Sequence, residues 1–197
     1  MKEVRYAAIE PSGVHDLVLV GHPVVYETPT TINLEGGGTF TEVIHRGALD
    51  ECDLTDSTLI VNHDESRVPL ARSGRTMQLT VTDEGLYMRA ELAGDNPHAQ
   101  EAYSAVRRGD LSGMSFAFVV PDGGSRYDSE TNTRHITKIA KIYEISLCTR
   151  PAYQTASVEA RDAITAERDA ARECAAARAR RLAVLCRACR IINNQIG

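Results

Sequence analysis

The sequence predicts an α+β chain in which a β-rich body comes first and a long helix follows. Three observations carry that reading. Short apolar, β-branched runs broken by Gly, Pro and Asp-Glu-Gly turns fill the first 150 residues. One clear helix signal interrupts them, Asn96-Pro97 followed by Ala102, Tyr103 and Val106 at helical spacing. From Ser157 to Arg190 there is no Gly, Pro or aromatic residue, and Ala and Arg dominate. The chain is therefore divided into a body over residues 1–156 and a helical tail over 157–197.

The elements follow in order. Leu17–Val20 and Val24–Tyr26 read as strands on either side of a Gly21-His22-Pro23 turn. Pro29–Gly38 is expected to be a flexible loop, because Gly36, Gly37 and Gly38 resist regular structure. Phe40–Ile44 resumes a strand, and Thr58–His63 is a second, buried one. Thr76–Thr82 and Leu86–Leu92 flank Asp83-Glu84-Gly85, a hairpin with Gly85 at a left-handed position. The helix opened by Pro97 ends at Gly109, and Met114–Val120 is the strand after it. A polar loop, PDGGSRYDSETNT, then leads through a hairpin into Ile136–Cys148. In the tail, Ala171, Ala175, Arg178, Leu182, Leu185, Cys189 and Ile192 form a thin heptad-like stripe. Such a stripe serves equally for docking on the body or for a partner or second copy.

With 43% hydrophobic and 25% charged residues the composition is that of an ordinary globular domain. With no Trp and three Phe, the core must be built from Val, Ile, Leu and Ala. A net charge of −5 argues against nucleic acid as the main partner, although arginines gather in the second half of the tail. Five cysteines, no leader signal and no apolar run of about 18 residues point to a reduced, cytosolic setting and away from a membrane. Cys186 and Cys189 form a lone CxxC without partners and are read as packing. The histidines show no HxxxH or HxH spacing, so no metal or cofactor is implied.

Two strands each carry one residue suited to nucleophilic catalysis. In Met114–Val120 the large residues Met114, Phe116 and Phe118 alternate with Ser115 and Ala117, so Ser115 sits among small neighbours. Gly113 before it allows close approach of a substrate backbone. Ser112 is a rival, but its place before the strand suits a turn. His63, on a face with Leu59 and Val61 in an ideal strand, is either a hydrogen-bonded core residue or a base. Its neighbour Asp64 points the other way. His15, His22, His45, His98 and His135 read as solvated surface. Glu144 lies with Ile142 and Ser146 in an apolar run, where a carboxylate is costly unless paired. Either His63 or a cation such as Arg72, Arg75 or Arg150 could pair it. Cys148 has no histidine near it in sequence and is the weaker nucleophile candidate.

Taken together, GHPVVYETPT, FTEVIHRGAL, VNHDESRVPLARSGRTMQLTVTDEGLYMRAEL, RRGDLSGMSFAF and YEISLCTRPAY resemble the prohead (procapsid maturation) serine proteases of tailed bacteriophages. The resemblance covers about residues 17–158, with an NHD-type histidine some fifty residues before an SGxSF-type serine. It implies a compact, mainly antiparallel β-barrel with surrounding helices, like that of the herpesvirus maturation proteases. It implies that His63 and Ser115 are catalytic, with the family's acidic position falling on Glu144. One departure is His45, where many relatives carry proline before Arg46-Gly47-Ala48.

The implied activity is a serine endopeptidase that needs no cofactor. Its substrates would be the major capsid protein, its scaffold segment and eventually itself, inside the procapsid in the host cytoplasm. The tail would carry the enzyme into the shell, with self-association through its stripe as a second use. Three further readings stay open: an assembly protein that works through the tail alone, a thiol enzyme using Cys148, and nucleic-acid binding by the tail's arginines.

Overall fold

A computed structural model of the chain describes residues 3–12, 17–34, 37–149, 170–177 and 180. In chain order the strands are β1 (Glu3–Ser12), β2 (Val18–Val25), β3 (Thr30–Asn33), β4 (Thr39–Ile44), β5 (Thr58–Val61) and β6 (Ala71–Arg72). Then come β7 (Met77–Thr82), β8 (Gly85–Glu91), helix α1 (Pro97–Arg108), β9 (Gly113–Val119), β10 (Ser125–Asp128), β11 (Thr133–Ile136) and β12 (Lys141–Cys148). They form an eight-stranded sheet in the order β6-β5-β12-β9-β1-β2-β8-β7 and a four-stranded sheet in the order β10-β11-β4-β3. Neighbours are antiparallel except for two parallel pairs, β5 with β12 and β4 with β11.

The larger sheet has to curl. Laid flat, eight strands would separate their edges by about 34 Å. The edge strands β6 and β7 are consecutive in sequence, and the step from Arg72 to Met77 reaches at most about 18 Å. The edges accordingly meet at one isolated bridge, Ser73 with Met77. They do not pair further, because β6 is only two residues long. The closed barrel that the sequence led us to expect is therefore a curled, open sheet.

The local chemistry explains most boundaries. Asn96 caps α1 by accepting the His98 N–H at 3.0 Å, and Pro97 stands at the start, where its missing N–H costs nothing. Gly109 closes the helix in the left-handed conformation (φ 80°). Ala99, Ala102, Tyr103 and Val106 turn inward from it. Gly85 opens β8 at φ 145°, and a Cβ there would stand 2.0 Å from the Val24 carbonyl oxygen. The strands β2 and β8 approach too closely for any side chain at this position.

Three sequence expectations change. Gly21-His22-Pro23 does not break the chain; a register irregularity between Gly21 and Val24 absorbs it within β2, where Pro23 is spared a ladder bond. The loop expected at Pro29–Gly38 contains β3, whose Ile32 is buried. The polar loop after Val120 folds into its own hairpin, β10–β11, so Ile136 and Lys141–Cys148 belong to different sheets. Strand β1, central in the larger sheet, was not foreseen at all.

One core joins the layers. Leu59, Met88, Phe116, Phe118, Ile142, Ile145 and Leu147 form it with the inner face of α1, and Ile44 and Ile136 of the smaller sheet enter it. A second cluster, Ile32, Phe40 and Tyr127, lies on the smaller sheet, and Ala171 of the helical piece at 170–177 packs against it. The rest of the expected tail helix, including the Cys186/Cys189 pair, lies outside the described residues. Among the described residues no helix is long and apolar enough to cross a membrane.

The smaller sheet also holds a buried ion pair. Glu42 and Arg134 face each other in register across β4 and β11, with Nη1 3.3 Å from Oε2 and exposures of 2% and 4%. Arg134 also donates to Ser125 Oγ at 3.2 Å. Removing one partner strands a buried charge, which costs about 3–5 kcal/mol, whereas an apolar pair of similar volume restores most of it. Urea denaturation should show Glu42→Leu strongly destabilised and Glu42→Leu with Arg134→Met close to the parent.

Candidate active site

The site is built on three adjacent strands, β5, β12 and β9. In β9 the residues Met114, Phe116 and Phe118 enter the main core, and Ser115 and Ala117 point to the opposite face. Both are fully buried. The register pairs Ser115 with Ser146 of β12, and Ala117 with Glu144. Cross-strand partners share a face, so Ser115, Ser146 and Glu144 lie on one side of the sheet.

A bulge makes that alignment. Ile142 pairs with Phe118 and Glu144 with Ala117, which leaves Tyr143 as the extra residue. Tyr143 is 43% exposed and lies beneath the Lys141 ammonium. The sequence put Glu144 on a face with Ile142. The bulge separates them, sending Ile142 into the main core and Glu144 to the side of Ser115.

His63 reaches the same side by a second device. Strand β5 ends at Val61, and both Asn62 (φ 50°) and His63 (φ 58°) adopt the left-handed conformation. Asn and His tolerate this region better than most residues, yet each costs about 1–3 kcal/mol of strain. Leu59 and Val61 pair with Ile145 and Leu147 on the core face. An unbroken strand would have put His63 with them, as the sequence suggested. The double left-handed turn instead lifts its ring to Glu144, with Nδ1 2.5 Å from Oε1.

Backbone bonds hold the turn. The Asn62 N–H donates to the Leu147 carbonyl at 2.9 Å, and the Asp64 N–H to that of Val61 at 3.0 Å. The His63 N–H donates to Ser146 Oγ at 2.7 Å. Ser146 thus stands between Ser115, its cross-strand partner, and His63, whose backbone it anchors. The sequence reading gave it no role. Its signal was a polar residue two positions from Glu144 on an otherwise apolar strand.

The electrostatics separate the parts. The Glu144 carboxylate is 3% exposed and the His63 side chain 28%. With Nδ1–H donating to the carboxylate, the ring presents Nε2 as a base. Arg72 pairs with Asp56 rather than with Glu144, and Arg150 is outside the described residues. Asp64 is engaged elsewhere: the Ser66 hydroxyl and N–H, with Arg67 beside it, hold its carboxyl below the usual range. Ser112 is exposed and lies before β9, donating its N–H to the Cys148 carbonyl. Burial pushes the Cys148 thiol up to about 11, so it is not a ready thiolate.

Three histidines read as solvated are not: the His98 side chain is 25% exposed with its Nδ1 buried, and His45 and His135 meet each other. His45 Nε2 meets His135 Nδ1 at 2.9 Å, the rings stack, and His45 Nδ1 lies 3.0 Å from Glu27. The line ties the turn after β2 to the smaller sheet. His22 sits edge-on to Tyr87, and His15 is outside the described residues.

A protein-family model described as caudovirus prohead serine protease matches residues 3–170. A curated relative, the prohead protease of Enterobacteria phage HK97, is 29% identical over 102 residues. That stretch is 52% of this chain and 43% of the relative, so the match spans under half of the relative's length. No solved structure matches the chain.

The two buried serines should respond oppositely to truncation. Ser146→Ala removes the acceptor of the half-buried His63 N–H and should cost about 1 kcal/mol. Amide exchange at His63 should quicken with it. Ser115 Oγ is buried and makes no hydrogen bond among the described residues. Ser115→Ala should therefore leave the melting temperature unchanged or raise it.

Proposed function

The chain belongs to the caudovirus prohead serine protease family, and from that premise we propose that it is a serine endopeptidase of procapsid maturation, acting on capsid and scaffold segments and on itself. The single observation that carries the catalytic part is the His63–Glu144 pair on the sheet face shared by Ser115. A buried carboxylate on one imidazole nitrogen, with a buried serine on the facing strand, is the set needed to activate a hydroxyl.

In this reading Ser115 Oγ attacks the scissile carbonyl carbon while His63 Nε2 takes its proton. The C–O bond forms as the carbonyl π pair moves to oxygen. Collapse of the tetrahedral intermediate breaks the C–N bond, and His63 returns the proton to the leaving amine. Water then repeats the sequence on the acyl-enzyme and frees Ser115. Glu144 keeps Nδ1 protonated and stabilises the imidazolium that forms twice per turnover. Ser146 positions the His63 backbone and exchanges no proton. Hydrogen bonds between nucleophile and base commonly tighten only when substrate is bound.

The strain at Asn62 and His63 supports this reading, because a structural histidine gains nothing from two successive left-handed residues. The Ser115 hydroxyl, without a hydrogen bond among the described residues, supports it in the same way. The raised Cys148 thiol and the exposed turn position of Ser112 speak against either as nucleophile. The tail over 157–197 is read as the element that takes the enzyme into the shell.

Coexpression with the cognate major capsid protein, read by intact mass, tests the proposal. The wild type should shorten the capsid protein and Ser115→Ala should not. His63→Ala should lower turnover on the order of 10⁶-fold and Glu144→Gln about 10⁴-fold. Equal processing by wild type and Ser115→Ala, or none by either, would favour an assembly protein that works through its tail.

A further inference from the structure

The same strand ends that carry the site also line a cavity of about 340 Å³ that the catalytic reading leaves unused. Asn62 and Asp64, the two neighbours of His63, form one side of it. Leu111 leads into β9 and Thr149 follows β12, so the cavity opens where all three site strands meet. Its size suits a long side chain with part of its backbone, at the small end of ligand pockets.

The lining is divided by chemistry. Val61, Ala102, Ala105 and Leu111 make an apolar wall. His98, Glu101, Ala102 and Ala105 lie at helical spacing on one face of α1, which puts the acid of Glu101 beside the apolar stretch. Among the described residues Asp64, Glu101 and Asp110 are three lining carboxylates against one lining guanidinium, Arg67. Arg67 is taken up by Asp64 at 3.1 Å, and Asp110 is met by Arg108 at 2.8 Å. Glu101 is 79% exposed and among the described residues has only the weak ion partner His98, whose Nδ1 is 4.0 Å away. An aliphatic stem along the wall with a cationic head at Glu101 satisfies both halves. An acidic side chain would meet three carboxylates.

We infer that this cavity is a specificity subsite that receives an arginine or lysine side chain of the substrate beside the scissile bond. The inference rests on the peptidase reading above and names its substrate class: basic peptide segments. The chain itself contains one, residues 175–185, with Arg178, Arg180 and Arg181 between alanines and leucines.

The test uses the full chain as enzyme and a synthetic peptide of residues 175–185, beside the same peptide with its three arginines replaced by citrulline, their neutral isostere. The arginine peptide should be cleaved with a kcat/KM about threefold higher, the size that one partly exposed ion pair supplies. Glu101→Lys should bring that ratio close to one. Equal cleavage of both peptides, or a ratio unchanged in Glu101→Lys, overturns the inference. So does a wild type that shortens capsid protein but cuts neither peptide, and in that case the peptidase reading survives. If no Ser115-dependent cleavage occurs on capsid protein or peptide, both fall together.

Discussion

The buried carboxylate of Glu144 is the constraint on which the rest of the site depends. Taken out of water alone, it would cost several kcal/mol or take up a proton. The fold meets that cost with the Nδ1–H of His63, and every local irregularity nearby serves the meeting. The bulge at Tyr143 turns Glu144 away from the main core. The left-handed pair Asn62-His63 turns the imidazole toward it. Ser146 fastens the turn by accepting the His63 N–H. Remove the bulge, and the acid joins Ile142 in the core; remove the turn, and the ring follows Val61.

The parallel pairing of β5 with β12 brings these parts to one edge. In a parallel pair the carboxyl ends of both strands lie together, so the turn after Val61 opens beside Ser146 and Leu147. Strand β9 runs antiparallel to β12 and begins at that edge, which puts Ser115 near its start. The same geometry brings Leu111 and Thr149 to the cavity. Strands β9 and β12 therefore do two jobs by alternation. Phe116, Phe118, Ile145 and Leu147 build the core on one face, and Ser115, Ala117, Glu144 and Ser146 keep the other face small and polar. Ser115 and Ser146 are held rigidly, because each stands between two core residues.

Much of this was legible from residue types, and the rest depended on pairing. The alternation in GMSFAFV alone puts Ser115 among small residues, and the hairpin at Asp83-Glu84-Gly85 and the caps of α1 follow from local chemistry. Period-two alternation rightly put Glu144 with Ser146, but it also put Glu144 with Ile142 and His63 with Leu59 and Val61, which the structure separates. Both errors have one cause: a bulge or a left-handed step shifts the alternation by one, and neither Tyr143 nor Asn62 announces that in sequence. Strand β3 was hidden by the glycines beside it. The barrel expectation failed at β6, where two residues cannot make the closing ladder. Glu27, His45 and His135 are far apart in sequence, and only the packing of the two sheets makes them neighbours.

These features also weigh against a purely structural account of the buried polar face. Ser115 Oγ has no hydrogen bond among the described residues, and a sheet selected for stability alone would replace such a serine with alanine, since a buried hydroxyl without a partner costs about 1–3 kcal/mol. It would not place two non-glycine residues in succession at positive φ, nor bury a carboxylate that must be met by a half-exposed ring. The Glu42–Arg134 pair shows how the same chain treats buried charge where no chemistry is proposed: in register on regular strands, with the backbone unstrained. The contrast between the two pairs, one relaxed and one held by a bulge and a strained turn, is what separates the candidate site from the scaffold that carries it.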